Sequence, residues 1–311
     1  MATAQVYLVT GGCGFIGKKI VELLSQQDYI KEVRVFDSGA REEKIIPGKT
    51  RASSCIIGDI RDYNLLLAAM RGVHVVIHTA AIVDYRNTVP FWEMKAVNVG
   101  GTENVLRACC VLNIPYVVYT SFIAAVGPNT LCEPMRRGNE DTKYSGEVEL
   151  PYRKTKAMAE KLVFEANGKK VQKSMASLVF QHRMSGRRQL VRKAPHLISK
   201  RCFLVRHQLL SSVDPSIRLG SRIPYWKMWL IIHLHRIIKA LLYPFWKPQP
   251  FLNLPLLNTI VTTFSYETDK AFRHFGYKPL FTWQESKQRT VQWLKAAAGN
   301  VSCPHLHQKE N

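Results

Sequence analysis

A glycine cluster between an apolar run and a helical pattern constrains this chain more than any other feature. Residues 6–10 form a short, continuous apolar run of the kind found in buried strands, and residues 16–24 carry apolar side chains at helical spacing. The two runs are joined by Thr10-Gly11-Gly12-Cys13-Gly14-Phe15-Ile16-Gly17. We therefore predict a strand, a tight turn and a helix in direct succession.

The rest of the first half repeats this alternation of strand and helix. Further short apolar runs that predict strands lie at residues 33–36, 54–57, 74–78 and 116–120, and helical patterns cover 63–70 and 102–112. Repeated strands and helices with continuous apolar strands indicate a parallel sheet covered on both faces. The expected fold class is α/β, a Rossmann-type doubly wound parallel sheet followed by a divergent C-terminal substrate and membrane region.

The glycine turn has the composition of a dinucleotide site. Gly11 or Gly12, followed by Gly14 and Gly17, permits a tight turn and lets a pyrophosphate approach the backbone at the helix N-terminus. Glycines that only shape the turn are the alternative. Asp37 ends the second strand, where a carboxylate accepts ribose hydroxyls and repels a 2′-phosphate, so NAD is favoured over NADP. The positively charged residue Arg41 lies nearby and weakens this preference for NAD.

The charge is concentrated in the second half of the chain. Residues 1–150 hold 16 Lys and Arg against 16 Asp and Glu, and residues 151–311 hold 28 against 7, which together give the totals of 44 and 23. Residues 166–213 contain eleven basic residues and no acid. Such a run is either a solvated segment or a surface for phosphates of lipid or nucleic acid. It lacks interleaved aromatic residues and a recognition motif, so no nucleic-acid partner is expected.

The cysteines indicate neither a disulfide framework nor a metal site. There are seven, scattered and without a CxxC pair, which favours a reducing compartment. The first residues lack the charged stretch followed by an apolar stretch that is typical of a cleaved secretory signal, so we expect no such signal.

A Tyr-x-x-x-Lys pair is the candidate for catalysis. In a helix, Tyr152 and Lys156 share one face, so the ammonium is expected to stabilise the phenolate and to lower the pKa of the tyrosine. The same spacing recurs at Tyr243 with Lys247 and at Tyr266 with Lys270. Position decides between them, because Tyr152 opens a helical pattern about thirty residues beyond the fifth strand.

Several motifs in this order resemble the 3β-hydroxysteroid dehydrogenase/Δ5-Δ4 isomerase family of extended short-chain dehydrogenases, nearest to its bile-acid branch. The motifs are TGGCGFIG, GDI at 58–60, NVGGTENV at 98–105, VVYTS at 117–121, VGPNT at 126–130, PYRKTKAMAE at 151–160 and FGYKPLFTWQESKQRTVQWL at 275–294. The resemblance covers residues 5–171 and resumes from about 215 to 298.

The resemblance implies a role for individual residues. Tyr152 would remove the proton of a 3β-hydroxyl while hydride passes to NAD, and Lys156 would bind the ribose and assist Tyr152. Asp59 and Ile60 would flank the adenine, and Asn98 would support the active-site helix. The residues expected to contact NAD are Gly11, Gly14, Phe15, Ile16, Gly17, Asp37, Asp59, Ile60 and Lys156.

Two departures from the family pattern bear on activity. Phe122 stands where the family has a catalytic serine, and Ser121 is expected to point to the opposite face of the strand. After the Tyr152 helix, the strand, loop and pocket segments of the family are not found; a basic stretch replaces them. Either a changed reading frame or exon has discarded the pocket, or the stretch is a divergent substrate domain.

Residues 230–242 predict an amphipathic helix with one apolar and one basic face. Nearby aromatic residues at 226, 229, 243 and 246 suit the surface of a membrane, whereas a core-packing helix is the alternative. The resemblance adds association with the endoplasmic reticulum membrane, on its cytosolic face, or with a mitochondrial membrane. The expected partners are thus a steroid substrate and a membrane surface; the residues do not determine the oligomeric state.

Together these features predict an NAD-dependent oxidation of a 3β-hydroxy-Δ5-steroid to its 3-oxo-Δ4 form. A catalytically impaired relative that binds the dinucleotide without a substrate pocket is the alternative. The expected segments are 1–168 for NAD binding, 169–214 as an atypical basic segment, 215–250 as an amphipathic region, 251–299 as a C-terminal family segment and 300–311 as a tail.

Overall fold

The computed structural model describes the greater part of the first half of the chain and separate segments of the second. The described residues are 5–39, 53–122, 125, 135–139, 142, 150–168, 176–181, 208–216, 223–242, 253–262, 264–267 and 270–299. The expectations for Arg41, for the Tyr243 and Lys247 pair, for most of the basic segment and for the tail lie outside these residues. The segment boundaries given above remain predictions.

A parallel sheet of six strands forms the centre of the first half. The strands are β1 (Gln5–Thr10), β2 (Ile30–Asp37), β3 (Ser53–Ile57), β4 (Val75–His78), β5 (Tyr116–Ser121) and, after the short strand β6 (Met135–Gly138), β7 (Ala176–Gln181). Their order in the sheet is β3-β2-β1-β4-β5-β7, and every pairing is parallel. The fold expected from the alternation of strands and helices is therefore confirmed.

Helices follow the strands and cover both faces of the sheet. They are α1 (Phe15–Ser25), α2 (Tyr63–Ala69), α3 (Phe91–Lys95), α4 (Thr102–Val111) and α5 (Pro151–Ala166), with a π-helical segment at Ala96–Gly101 between α3 and α4. Successive residues of β1 enter different clusters: Leu8 packs with Leu66 of α2, and Val9 packs with Val21 of α1. Because side chains alternate along a strand, this central strand is buried from both sides.

The strand β7 corrects the expectation that no family strand follows the Tyr152 helix. Ala176–Gln181 pairs with β5 along its whole length, from Tyr116 opposite Ala176 to Ser121 opposite Gln181. The composition of the surrounding basic stretch concealed it, although its sequence ASLVFQ contains the short apolar run typical of a buried parallel strand. The parallel sheet thus continues into the first part of this stretch.

The second half contributes the helices α6 (Tyr225–Leu242), α7 (Leu254–Val261), α8 (Lys270–Phe275) and α9 (Trp283–Gly299). The strand β8 (Phe264–Tyr266) pairs in parallel with β6 in a separate two-stranded sheet. The predicted amphipathic helix is present as α6 and begins five residues earlier than expected, at Tyr225. Among the described helices, none combines the length and the apolar character that crossing a membrane would require.

Leu66→Ala tests the packing of α2 against the sheet. Leu66 is 0% exposed and lies in the core, so its truncation is expected to lower the free energy of unfolding by about 2–5 kcal/mol, through lost burial and the cavity left behind. Leu65→Ala is the matched control, since this neighbouring leucine is 37% exposed. Chemical denaturation followed by tryptophan fluorescence measures both; equal losses would contradict this placement of α2.

Candidate active site

Two glycines of the turn after β1, Gly11 and Gly17, leave no room for a side chain. Gly11 has a φ of +70°, and a Cβ there would lie 2.7 Å from the backbone of Ala80, which follows β4. A Cβ on Gly17 would overlap the carbonyl oxygen of Gly11. No side chain caps α1 at Gly14, so the first turn of the helix is open to an anionic ligand such as a pyrophosphate.

Asp37 lies beside this turn, as the spacing predicts. Its Oδ2 accepts a hydrogen bond of 2.9 Å from the N–H of Cys13, and its Oδ1 accepts one of 2.8 Å from the N–H of Gly39. The carboxylate is thereby held at the carboxyl end of β2, next to the glycine turn. This position suits recognition of ribose hydroxyls, and the negative charge disfavours a phosphate there.

The two residues expected to flank an adenine differ in their surroundings. Asp59 forms an ion pair with Arg61, with 2.6 Å between Oδ2 and Nη2, and the hydrogen bonds from this guanidinium lower the pKa of the carboxyl. Ile60 is buried, and its side chain fills the space beside Gly101, where a Cβ would overlap it. Their contact with an adenine remains a prediction.

Tyr152 lies at the start of α5 and is enclosed by two aromatic rings. The ring of Tyr85 meets it edge-on with 5.2 Å between centroids, and the ring of Phe122 lies at 5.3 Å. Tyr152 is only 6% exposed. Burial, and secondarily the phenol of Tyr85, raise the pKa of Tyr152 well above its usual value near 10.

Lys156 lies one turn further along α5, and its ammonium points at the end of β5. It is 3% exposed; its Nζ donates a 2.6 Å hydrogen bond to the carbonyl oxygen of Thr120 and lies 4.3 Å from the ring centroid of Tyr119. Burial lowers the pKa of this amine to about 7, and the carboxylate of Glu160 opposes that shift. The expected lowering of the Tyr152 pKa by this ammonium is wrong for this structure, because desolvation dominates at the phenol.

Ser121, the last residue of β5, and Phe122, which directly follows it, contact different residues of α5, and their placement on opposite faces stays a prediction. Phe122 packs against Tyr152, whereas the hydroxyl of Ser121 donates a 2.6 Å hydrogen bond to Oε2 of Glu160. Ser121 is thus engaged away from the phenol and does not replace the family's serine. Phe122 stands at the sequence position where the resemblance implies that serine.

Asn98 supports α5 directly. In the π-helical segment its Nδ2 donates to Oγ1 of Thr155 at 3.0 Å, and Oγ1 of Thr155 donates to the carbonyl oxygen of Tyr152 at 2.8 Å. Its amide also exchanges two hydrogen bonds with the backbone of Ile82, of 2.7 and 2.9 Å. The role implied by the resemblance therefore agrees with the geometry, and it needs no bridging water.

His78 is a buried polar residue that the sequence analysis does not single out. Its Nδ1 lies 2.6 Å from Oγ1 of Thr10, and its Nε2 lies 3.0 Å from Oγ1 of Thr102. Because the hydroxyl of Thr102 donates to the carbonyl oxygen of Asn98, the ring proton belongs on Nε2. Burial and the nearby charge of Lys156 lower the pKa of His78 to about 3, so the ring is neutral.

The sequence analysis also did not single out Tyr85, which contacts Tyr152, or Glu160, which interacts with Lys156. No local spacing points to Tyr85, which reaches Tyr152 through the chain topology, whereas Glu160 could have been found as the acid four residues after Lys156.

One of the two competing Tyr-x-x-x-Lys pairs lies within the described residues. Its Tyr266 ends β8 and its Lys270 begins α8, so the two do not share one helix face.

Solved structures with similar architecture agree with the fold. The structure of gox2253 has a TM-score of 0.65 at 17% identity and covers 94% of this chain and 98% of that one. The Bordetella bronchiseptica enzyme WbmG in complex with NAD has a TM-score of 0.57 at 18% identity, over 94% of each chain. At this identity both comparisons concern the fold alone.

The sequence comparisons identify the family. The profile of the 3-beta hydroxysteroid dehydrogenase/isomerase family matches residues 8–180. The chain is 37% identical to 3 beta-hydroxysteroid dehydrogenase type 7 of Mus musculus, over 95% of this chain and 97% of the relative, and 35% identical to that of Homo sapiens, over 96% and 98%. The alignment with the mouse relative spans 362 residues, whereas this chain has 311, so the relative contains stretches that this chain lacks. The family expected from the motifs is confirmed: this chain belongs to the 3-beta hydroxysteroid dehydrogenase/isomerase family.

Proposed function

We propose that this chain binds NAD and oxidises a 3β-hydroxy-Δ5-steroid to the 3-oxo-Δ4 form. The observation that carries the proposal is that the glycine turn and Asp37 lie at the carboxyl ends of β1 and β2, and that Lys156, one turn after Tyr152, contacts the carboxyl end of β5. Ligands of open parallel sheets bind at this edge. The family supports an oxidoreductase that uses NAD, and the names of the relatives support a 3β-hydroxysteroid as the substrate.

In this proposal Tyr152 is the base. NAD, when bound, supplies the acceptor for hydride. The phenolate oxygen of Tyr152 takes the proton of the substrate hydroxyl, while Lys156 holds the ribose and Asn98 fixes the helix that carries both side chains. Because burial raises the pKa of Tyr152, the phenolate becomes more abundant as the pH rises, so oxidation is expected to be faster on the alkaline side.

One contact favours a second candidate function, dinucleotide binding with impaired catalysis. Phe122 lies against Tyr152 and provides no hydroxyl to orient the substrate oxygen. Loss of a positioned hydrogen-bond donor at a reacting oxygen typically costs about 10²–10³-fold in rate. The two functions share the nucleotide site and differ in turnover, so one pair of assays separates them.

A titration with NADH followed by an assay of NADH production from a 3β-hydroxy-Δ5-steroid tests the proposal. Phe122→Ser is expected to raise the rate on the order of tenfold or more, because it restores a hydroxyl beside Tyr152 and removes the ring. Phe122→Ala is the matched control that removes the ring without adding a hydroxyl.

Each outcome of these assays has a distinct meaning. Turnover by the unchanged chain supports the steroid dehydrogenase. If the unchanged chain binds NADH but shows no turnover, and Phe122→Ser restores part of the turnover whereas Phe122→Ala does not, the chain is the impaired relative. A chain that binds neither NAD nor NADH contradicts both functions.

Asp37→Ala tests the choice of cofactor. Loss of a charged acceptor for the ribose hydroxyls is expected to weaken NADH binding about 10- to 100-fold, since hydrogen bonds to charged groups contribute about 1.5–3 kcal/mol. Binding of NADPH is expected to change less, because the repulsion of its phosphate is removed at the same time. Glu22→Ala, which removes an exposed carboxylate of α1, is the control. Equal effects on both nucleotides would contradict the assignment of NAD.

We further propose that α6 binds an anionic membrane surface, which would place the protein at the cytosolic face of the endoplasmic reticulum or at a mitochondrial membrane. Its large apolar side chains are exposed: Trp226, Trp229, Leu230, Ile231, Leu234, Ile237, Ile238, Leu241 and Leu242. The helix also carries Lys227, Arg236 and Lys239 and has no acidic residue. Exposed apolar side chains combined with unopposed positive charge are typical of helices that lie in an anionic lipid interface.

Sedimentation with vesicles tests this helix. We expect the protein to bind vesicles that contain phosphatidylserine more strongly than vesicles of phosphatidylcholine alone, with the difference falling as salt is added. Leu234→Glu is expected to weaken binding severalfold, because it places a negative charge among exposed apolar groups. Leu23→Glu, at an exposed leucine of α1, is the matched control. Loss of binding that is equal in both variants would contradict a role for α6.

A further inference from the structure

Three charged side chains of α5 are buried: Arg153, which is 4% exposed, and the pair of Lys156 and Glu160, which lie one turn apart. Lys156 is 3% exposed and Glu160, four residues later, is 2% exposed. Residues four apart on a helix are neighbours on the same face. A buried charge is costly unless an opposite charge or hydrogen bonds compensate it, so a buried amine and a buried carboxylate at this spacing belong to one arrangement.

Consecutive residues of β5 hold both side chains. The carbonyl oxygen of Thr120 accepts a hydrogen bond from Nζ of Lys156, and the hydroxyl of Ser121 donates one to Oε2 of Glu160, each of 2.6 Å. Because the two contacts join one turn of α5 to the end of one strand, they fix the direction of the amine as well as the position of the helix. Tyr152, which precedes Lys156 by one turn, is carried on the same helix.

Two other described groups close to the amine, His78 and Tyr119, supply no negative charge. His78, from β4, is neutral, and its pKa is itself lowered by the charge of Lys156. Tyr119, from β5, offers the face of its ring. Burial lowers the pKa of Lys156 to about 7, and the carboxylate of Glu160 raises it. Within the described part of the chain, the carboxylate of Glu160 thus favours the charged amine.

We propose that Glu160, tethered by Ser121, is a positioning residue that keeps the amine of Lys156 charged and directed at the end of β5. The inference deepens the proposed function, since Lys156 would hold the ribose of NAD. It also gives Ser121 a role, which is to hold the carboxylate of Glu160. Ser121 directly precedes Phe122, the residue at the position of the missing serine. Glu160 acts through Lys156 and needs no contact with the substrate or the cofactor.

A series of NADH titrations across neutral pH tests the inference through the cofactor. Removal of the carboxylate charge in Glu160→Gln lowers the pKa of Lys156, so the affinity for NADH is expected to fall at a lower pH than in the unchanged chain. Ser121→Ala keeps the charge and removes the tether, and it is expected to weaken binding severalfold with a smaller shift of the pH profile. Glu165→Gln, at an exposed acid of the same helix, is the control.

Nuclear magnetic resonance of lysine labelled with ¹³C at Cε tests the inference without the cofactor. The Lys156 signal, assigned by its loss in Lys156→Met, is expected to titrate on the order of one pH unit lower in Glu160→Gln than in the unchanged chain, about a tenfold change in the protonation equilibrium. An unchanged titration of Lys156 in Glu160→Gln overturns the inference. Failure of the unchanged chain to bind NADH would contradict the proposed function instead, and the lysine titration would still decide the role of Glu160.

Discussion

The approach of the glycine turn to the neighbouring strand is the constraint on which the rest of the site depends. With Gly11 packed on the backbone of Ala80, β1 can lie between β2 and β4 and still turn directly into α1. The same turn presents the N–H of Cys13 to Asp37. A side chain at Gly11 would separate the strand ends, and the parallel register that gathers the nucleotide residues at one edge would be lost.

A series of hydrogen-bonded polar groups extends from this turn to α5, the helix that carries Tyr152. Thr10 meets His78, His78 meets Thr102, and Asn98 connects the π-helical segment to Thr155 in α5. Each of these groups is buried, and each has a hydrogen-bond partner, so its desolvation is compensated. Such satisfied networks restrict side chains to one arrangement, so these hydrogen bonds help to hold α5 against the π-helical segment.

The aromatic rings around Tyr152 disfavour the reaction that membership of the family predicts. Membership of the family and the intact Tyr152 and Lys156 favour oxidation of an alcohol, whereas Tyr85 and Phe122 desolvate the phenol and occupy the space beside it. Desolvation raises the energy of the phenolate that the reaction needs. In the proposed function the glycine turn and Asp37 serve dinucleotide binding, whereas Tyr152 and Phe122 bear on turnover, so binding of the dinucleotide and turnover of a steroid can be measured separately.

The sequence by itself determined the alternation of β1 to β5 with α1, α2 and α4, the glycine turn, and the positions of Asp37 at the end of β2 and of Tyr152 at the start of α5. Strand runs, helical periods and glycine requirements are local, so a single sequence shows them. It also predicted different surroundings for Phe122 and Ser121, since side chains alternate along a strand, and the two residues contact different parts of α5. Only the tertiary structure revealed β7, the ring of Tyr85 and the raised pKa of Tyr152. Pairing, ring contacts and desolvation depend on distant residues meeting in space, and no local pattern records which residues will meet.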